Sequence, residues 1–257
     1  MISPNHSPVV NIMEKAARKA SKNLIRDFGE LEKLQISSKS LGNFVTNADI
    51  YSEKTIKETL SYHFPDYGFI LEESEDSAGK DKDNFFIIDP IDGTSNFIHG
   101  IPQFCIAIAK LSFGEISDGI IFNPITNEFF WASKGKGSWL NNQRLRVSNR
   151  KALDKCIIGA SSFEKEENFI QQSLFLKKNS ASFRAMGSAA LDLAFVASGR
   201  MDGYWGSNLN LWDMAPGILL ITEAGGNITR TDGKKRDIYS KNVLASNSLI
   251  HELILGK

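Results

Sequence analysis

The apolar period of this chain changes partway along, and that change restricts it to layered mixtures of helix and sheet. Between residues 9 and 34, Ile12, Met13, Ala16, Ala17, Ala20, Leu24, Phe28 and Leu31 recur at spacings of three and four, which predicts one buried face of a long helix. A second helix is expected over about 49–63. After it the apolar residues come in short runs. GFILEE and NFFIIDP read as buried strands, the second ended by Pro90, which has no N–H for a ladder and stops the strand at Asp89. FCIAIAKLSF, EISDGIIF and NEFFWAS follow as an antiparallel meander joined by FGEI and NPITNE. KGKGSWLNNQRLRV then predicts turns and a short hairpin over 134–149. From CIIGAS onward strands and helices alternate: a helix near 164–178, strand ASFRAM, helix SAALDLAFVASG, strand MDGYW, a helix from about Trp212, and a last strand and helix after 240. The economical architecture is a layered α/β fold in two halves, residues 1–150 and 151–257, packed as one structural unit.

Composition narrows the classes of partner. With 257 residues, 42% of them hydrophobic, the chain can bury a sizeable core. Thirty Lys and Arg balance thirty Asp and Glu, so there is no broad field to draw nucleic acid or an anionic membrane, and anion binding has to be local. No segment approaches the roughly 18 uninterrupted apolar residues of a membrane span, and MISPNHSPVV has no basic n-region. Cys105 and Cys156 both lie in apolar surroundings. Two core thiols in a reduced cytoplasmic chain are therefore expected, rather than a disulfide or a metal knuckle.

The chemistry concentrates in IIDPIDGTSN, residues 87–96. A strand ending at Asp89 delivers a carboxylate to the sheet edge; the turn at Pro90 brings Asp92 round to the same side. Gly93 permits close backbone approach, and a helix beginning near Thr94 would offer free N–H groups to an anion beside the two acids. Carboxylates next to an anion site make chemical sense with a hard divalent cation between them. Asp-Pro and Asp-Gly are also ordinary turn dipeptides, so taken alone the stretch fits a solvated loop as well as a metal site. LEESED, 71–76, similarly reads as an acidic loop, a solvated one at Glu75 and Asp76. In LNLWDMAPG, 209–217, Asp213 alone is explained as a helix cap with Pro216 in the first turn. A phosphatase with a nucleophilic aspartate would carry its second Asp two residues after the first, whereas here the gap is three and Pro90 intervenes. Gly-x-Ser-x-Gly, His-x-x-x-His and Gly-x-x-x-x-Gly-Lys-Ser/Thr are absent from the sequence.

Together these stretches resemble the inositol monophosphatase family of lithium-sensitive, magnesium-dependent phosphatases. DPIDGTSNF at 89–97 matches its Asp-Pro-Ile/Leu-Asp-Gly-Thr-x-Asn-Phe signature throughout. LEES is similar to its Gly-Glu-Glu, FVTNAD at 44–49 to its Val-Thr-x-x-Asp, and RAMGSAALDLAFVASGRMDGYW and WDMAPGILLITEAGG to its downstream segments. The resemblance covers nearly the whole chain.

It implies an α+β, layered α-β-α-β-α sandwich of mixed and antiparallel sheets. It implies two Mg²⁺ ions held by Glu72, Asp89, the Ile91 carbonyl, Asp92 and Asp213, with a loosely bound third facing Glu72. Thr94 and Asp49 would orient and deprotonate the attacking water; with Glu72 they form the expected catalytic set. Asp92, Gly93, Thr94, Gly187, Ser188 and Ala189 would contact the substrate. The implied reaction is in-line attack by a metal-activated water on inositol monophosphate or a similar small phosphate ester, without a phosphoenzyme. Alternative substrates are 3'-phosphoadenosine 5'-phosphate, histidinol phosphate or a sugar phosphate. Some bacterial members also act in transcription complexes with RNA, so a binding role for the chain is the alternative of a different class. The resemblance implies a homodimer as well. Three departures stand out: Leu71 replaces the family's Gly before the paired acids, Ser95 replaces its second Thr, and the glutamate that contacts an inositol hydroxyl falls at Gly206.

Overall fold

A computed structural model describes residues 6–30, 36–40, 43–161 and 167–256 of the chain. In chain order its elements are α1 (Pro8–Phe28), β1 (Ile36–Ser40), β2 (Asn43–Thr46), α2 (Asn47–His63), β3 (Gly68–Leu71), β4 (Asn84–Asp92), α3 (Thr94–Ile98), β5 (Cys105–Ser112), β6 (Glu115–Asn123), β7 (Glu128–Ser133), β8 (Gly137–Leu140) and β9 (Gln143–Arg144). There follow β10 (Ile157–Ala160), α4 (Glu167–Asn179), β11 (Ser182–Arg184), α5 (Ala189–Ala197), β12 (Gly203–Gly206), α6 (Leu211–Glu223), β13 (Gly226–Thr229), β14 (Val243–Asn247) and α7 (His251–Ile254).

α1 begins where Ser7 accepts the Val10 N–H and Pro8 occupies a first-turn position that needs no donor. It ends at Phe28, earlier than the apolar spacing predicts, because Gly29 closes the last turn onto the carbonyls of residues 25–27; Leu31 lies outside the described residues. Val10, Met13, Ala16, Ala17, Ala20 and Leu24 form its buried stripe. α2 starts with a reciprocal cap, in which Thr46 and Asp49 bond each other's backbone N–H.

A seven-stranded sheet runs in the order β3-β4-β5-β6-β7-β8-β9. It is the expected meander extended by β3, which lies parallel to β4. The second sheet, β11-β10-β12-β14-β13, is mixed: β10 runs parallel to both neighbours, and β14 antiparallel to β12. The β1–β2 hairpin and the edge strand β13 were not among the elements anticipated from the sequence.

Three apolar cores show how the sheets stack. α1 and α2 cover one face of the larger sheet through Phe86, Ile88, Ile106, Ile108, Ile120 and Phe122. α5 and α6 fill the space between the sheets, touching Ala107, Ile121 and Phe130 on one side and Tyr204, Val243 and Ala245 on the other. α4 and α7 cover the far face of the smaller sheet at Ile158, Trp205 and Leu244. The result is a five-layer α-β-α-β-α sandwich.

The connector between the sheets is pinned by Asp202, which is fully buried. Its carboxylate accepts from the Ile157 N–H at 2.8 Å, the Ser148 hydroxyl at 2.5 Å and the Arg150 guanidinium at 2.9 Å. Truncating it strands a buried N–H and a half-exposed cation. Asp202→Ala is expected to lower unfolding free energy by about 2–4 kcal/mol, read from urea denaturation; a loss under about 0.5 kcal/mol would contradict this.

Candidate metal and phosphate site

In a regular strand, residues three apart face opposite sides. Asp89 and Asp92 nevertheless share a face. β4 does not stop at Pro90, as the sequence suggests, but continues to Asp92 with one extra residue: Asp89 lies opposite Ala107, and Asp92 opposite Cys105. That bulge falls at Pro90, which has no N–H to give the ladder, and it turns both carboxylates toward the middle layer while Ile88 and Ile91 point into the outer core. Asp213 enters the same space from the first turn of α6. One carboxylate oxygen from each of Asp89, Asp92 and Asp213 lies within 4.8 Å of the other two.

Fixed donors aim all three. Asp89 Oδ1 accepts from the Ile91 N–H at 3.0 Å. Asp92 Oδ2 accepts from Ser188 Oγ at 2.5 Å and from the Ala190 N–H at 2.8 Å, so it sits at the start of α5, where the helix's free donors and dipole favour an anion. Asp213 Oδ2 accepts from the Asn210 N–H at 2.6 Å. Each acid is thereby oriented by one oxygen.

Their electrostatics are unfavourable without a counter-charge. Burial raises the Asp89 carboxyl well above its ordinary value, and repulsion from Glu72, Asp92 and Asp213 raises it further. Burial and then Asp92 push Asp213 up to about 7. Burial also raises Asp92, against the pull of its Ser188 and Ala190 bonds. Buried, crowded, all-oxygen donors of this kind fit a hard divalent cation, which relieves both the desolvation and the repulsion. Glu72, in the loop after β3, is hydrogen-bonded to Asp89 without belonging to the compact group of three.

Thr94 opens α3 beside this cluster. Its Oγ1 lies 3.2 Å from Asp49 Oδ1 and 3.0 Å from the Ile91 carbonyl, two acceptors for one proton. Asp49 is fully buried, and its second oxygen takes the Thr46 N–H at 2.7 Å and hydroxyl at 2.6 Å. Burial pushes its carboxyl up to about 6 despite those bonds. Gly93 precedes Thr94 at φ 98°, and a Cβ there would lie 2.9 Å from the Gln103 carbonyl oxygen, so the turn requires glycine.

A cavity of about 230 Å³ adjoins the acids; Asp92, Asp213, Gly187, Ser188, Ala189, Asp192 and Tyr204 are among the residues that line it. The sequence-predicted residues of both halves thus meet at one place. Ser188 lines the cavity, and its hydroxyl donates to Asp92 Oδ2.

Other contributors were not singled out from the sequence. Asn96 ties the signature loop to the cavity wall by donating to the carbonyls of Gln103 at 2.7 Å and Met186 at 2.8 Å. Cys105 places its thiol 3.8 Å from Asp92 Oδ2. Asp192 is a buried acid whose Oδ1 has no hydrogen-bond partner. A single charge inside the apolar run AALDLAFVA was the available signal for Asp192.

Comparison with known proteins finds relatives over nearly the whole chain. The inositol-1-monophosphatase of Caulobacter vibrioides is 46% identical, over 95% of this chain and 98% of its own length. The Nus factor SuhB of Pasteurella multocida is 38% identical, over 98% of this chain and 96% of its own. The crystal structure of extragenic suppressor protein SuhB from Bartonella henselae superimposes with a TM-score of 0.94 at 43% identity, covering 97% of this chain and 98% of that one. The model of the inositol monophosphatase family matches residues 5–257, and the chain belongs to that family of phosphatases.

Proposed function

We propose that this protein is a Mg²⁺-dependent phosphomonoesterase acting on inositol monophosphate or a closely similar polyol phosphate. The observation that carries this reading is the convergence of Asp89, Asp92 and Asp213, contributed by distant parts of the chain, beside the Thr94–Asp49 pair and a cavity. In this reading Asp89, Asp92 and Asp213 hold the cations, with Glu72 and the Ile91 carbonyl completing the ligand set. Divalent cations bound there supply the positive charge that offsets the phosphoryl oxygens and activates a water for attack.

The chain's own groups do the positioning. Thr94 Oγ1 orients the attacking water and passes a proton toward Asp49 Oδ1, whose raised affinity for protons suits an acceptor working near neutral pH. The backbone N–H groups of Gly93 and Thr94 hold the phosphate, and the backbone of 187–189 flanks the leaving alcohol. Because the aspartates are ligands and water attacks directly, the phosphoryl group is never covalently attached to the protein.

The relatives named as Nus factors raise a second reading, a partner of transcription complexes. The balanced charge and the complete acidic cluster favour the enzyme. A phosphate-release screen over small phosphate esters with and without Mg²⁺ tests the choice. Asp89→Asn, which removes a carboxylate central to the cluster, is expected to abolish release while far-ultraviolet circular dichroism stays native. Wild-type turnover in that variant would remove the cation site from the mechanism.

Stability should report the same acids. Because the carboxyls of Asp49, Asp89, Asp92 and Asp213 are raised, the folded chain holds protons that the unfolded chain releases from about pH 4 upward, so these groups contribute less stability as pH rises toward 7 and beyond. His251, lowered by burial, contributes in the opposite sense, and it lies against Ser246 and Thr229, away from the cluster. The Mg²⁺-induced rise in Tm separates the two effects. It should be larger at pH 8, where the cation meets ionised carboxylates, than at pH 6, where it must displace protons. Equal shifts at both pH values would show that cations do not compete with protons here.

In this reading the leaving-group wall includes Tyr204 and Leu209, which line the cavity and pack against Gly206. A Cβ on it would meet Leu209 Cδ1 and Tyr204 Cε1 at 2.7 Å, so those side chains already fill the space into which the family's glutamate would project. Gly206→Glu alone should therefore overpack the site, costing about 1–3 kcal/mol, without improving selectivity. With Leu209→Ala added, the kcat/KM ratio of inositol 1-phosphate to glycerol 2-phosphate is expected to rise about tenfold. No change in that ratio for the double variant would show that this wall does not read the alcohol.

A further inference from the structure

One face of α2 reaches three separate parts of the acidic site. Asp49, Ser52 and Glu53 stand at helical spacings of three and four, and all are buried, at 0%, 3% and 4% exposure. Asp49 meets Thr94, as described above. Ser52 Oγ donates to the Pro90 carbonyl at 3.2 Å, inside the bulge that turns Asp89 and Asp92 to one side. Glu53 reaches the other acidic loop: Oε2 accepts the Glu73 N–H at 2.9 Å and Oε1 accepts the Ser74 hydroxyl at 2.6 Å.

Glu73 and Ser74 directly follow Glu72, the residue whose carboxyl meets that of Asp89. The Glu72–Asp89 hydrogen bond is one contact between two acids, and the rest of the 72–76 loop is held from α2 by Glu53. Glu53 thus fixes the loop at two adjacent residues, one through its backbone N–H and one through its side-chain hydroxyl. It has no role among the groups assigned above to cation, phosphate or water.

We propose that Glu53 is a positioning residue of the cation site, holding Glu72 toward Asp89 so that the acidic cluster is assembled in advance of cation binding. α2 is then a common template: one helix face fixes the Thr94 loop, the β4 bulge and the Glu72 loop relative to one another. The inference rests on the cation-site reading given under Proposed function, and its test separates the two.

Full-length protein stripped with chelator is titrated with Mn²⁺ and followed by electron paramagnetic resonance, alongside Tm. Glu53→Ala is expected to weaken Mn²⁺ binding by about 10- to 100-fold, the range typical for loss of a group that orients metal ligands. Phosphate release by that variant should recover toward the wild-type rate as Mg²⁺ is raised to saturation. Glu53→Gln keeps an acceptor for the Glu73 N–H and an amide that can donate to the Ser74 oxygen, so it should restore most of the affinity. A purely structural role predicts a lowered Tm with Mn²⁺ affinity unchanged, and that result overturns the proposal. If Glu53→Ala does not fold, Ser74→Ala removes one of the two bonds at a solvent-facing residue and should weaken Mn²⁺ binding in the same direction; unaltered affinity there is equally decisive against it. Wild-type protein that binds no Mn²⁺ would instead defeat the cation reading itself.

Discussion

Mutual repulsion among Asp89, Asp92 and Asp213 is the constraint around which the middle of this molecule is organised. Burying one ionised carboxylate is expensive, and burying three within 4.8 Å of one another is more so. Among the described residues, no lysine or arginine pairs with them. The fold gives each acid a fixed N–H donor, from Ile91, Ala190 and Asn210, so the geometry survives whether protons or cations carry the compensating charge. Such an arrangement trades stability for readiness to bind, which is the usual bargain at functional sites.

Topology explains why sites this far apart in sequence can meet so closely. β4 lies next to the edge of the larger sheet, and its bulge projects two acids into the middle layer. α5 and α6, both contributed by the second half of the chain, fill that layer and present their N-terminal turns to the same point. One helix start orients Asp92 and the other carries Asp213. Neither half possesses the full set of acids, so the packing of the two sheets and the assembly of the site are one event.

Much of this was legible in the sequence, for reasons that differ by element. The meander and the buried stripe of α1 follow from periodicity, because one-sided burial imposes it. The acids were legible as one set only through the family resemblance, since Asp-Pro-Ile-Asp-Gly-Thr alone also fits a solvated loop and Asp213 alone a helix cap. What was not legible is instructive. Pro90 reads locally as a strand stop, and only cross-strand register reveals it as a bulge that keeps β4 going. The hairpin β1–β2 and strand β13 lack a strong apolar alternation. Ser52, Glu53 and Asp192 looked like ordinary helix positions, since the significance of Ser52 and Glu53 lies in partners 20 to 38 residues away and that of Asp192 in a cavity, and no local pattern encodes that.

The structure also changes what a motif match means. Ser188 matches a residue that the family resemblance places on the substrate side, and its hydroxyl is occupied by Asp92. Asp49 works in two places at once, capping α2 through Thr46 and facing Thr94, so the raised carboxyl that suits a proton acceptor is a product of the same burial that anchors the helix. Gly206 is the converse case. Where a side chain on it would begin, Leu209 and Tyr204 already occupy the volume. A motif match identifies which side chains are present, whereas remaining hydrogen-bond capacity and remaining space decide what they can do, and at Ser188 and Gly206 both are already taken up by neighbours.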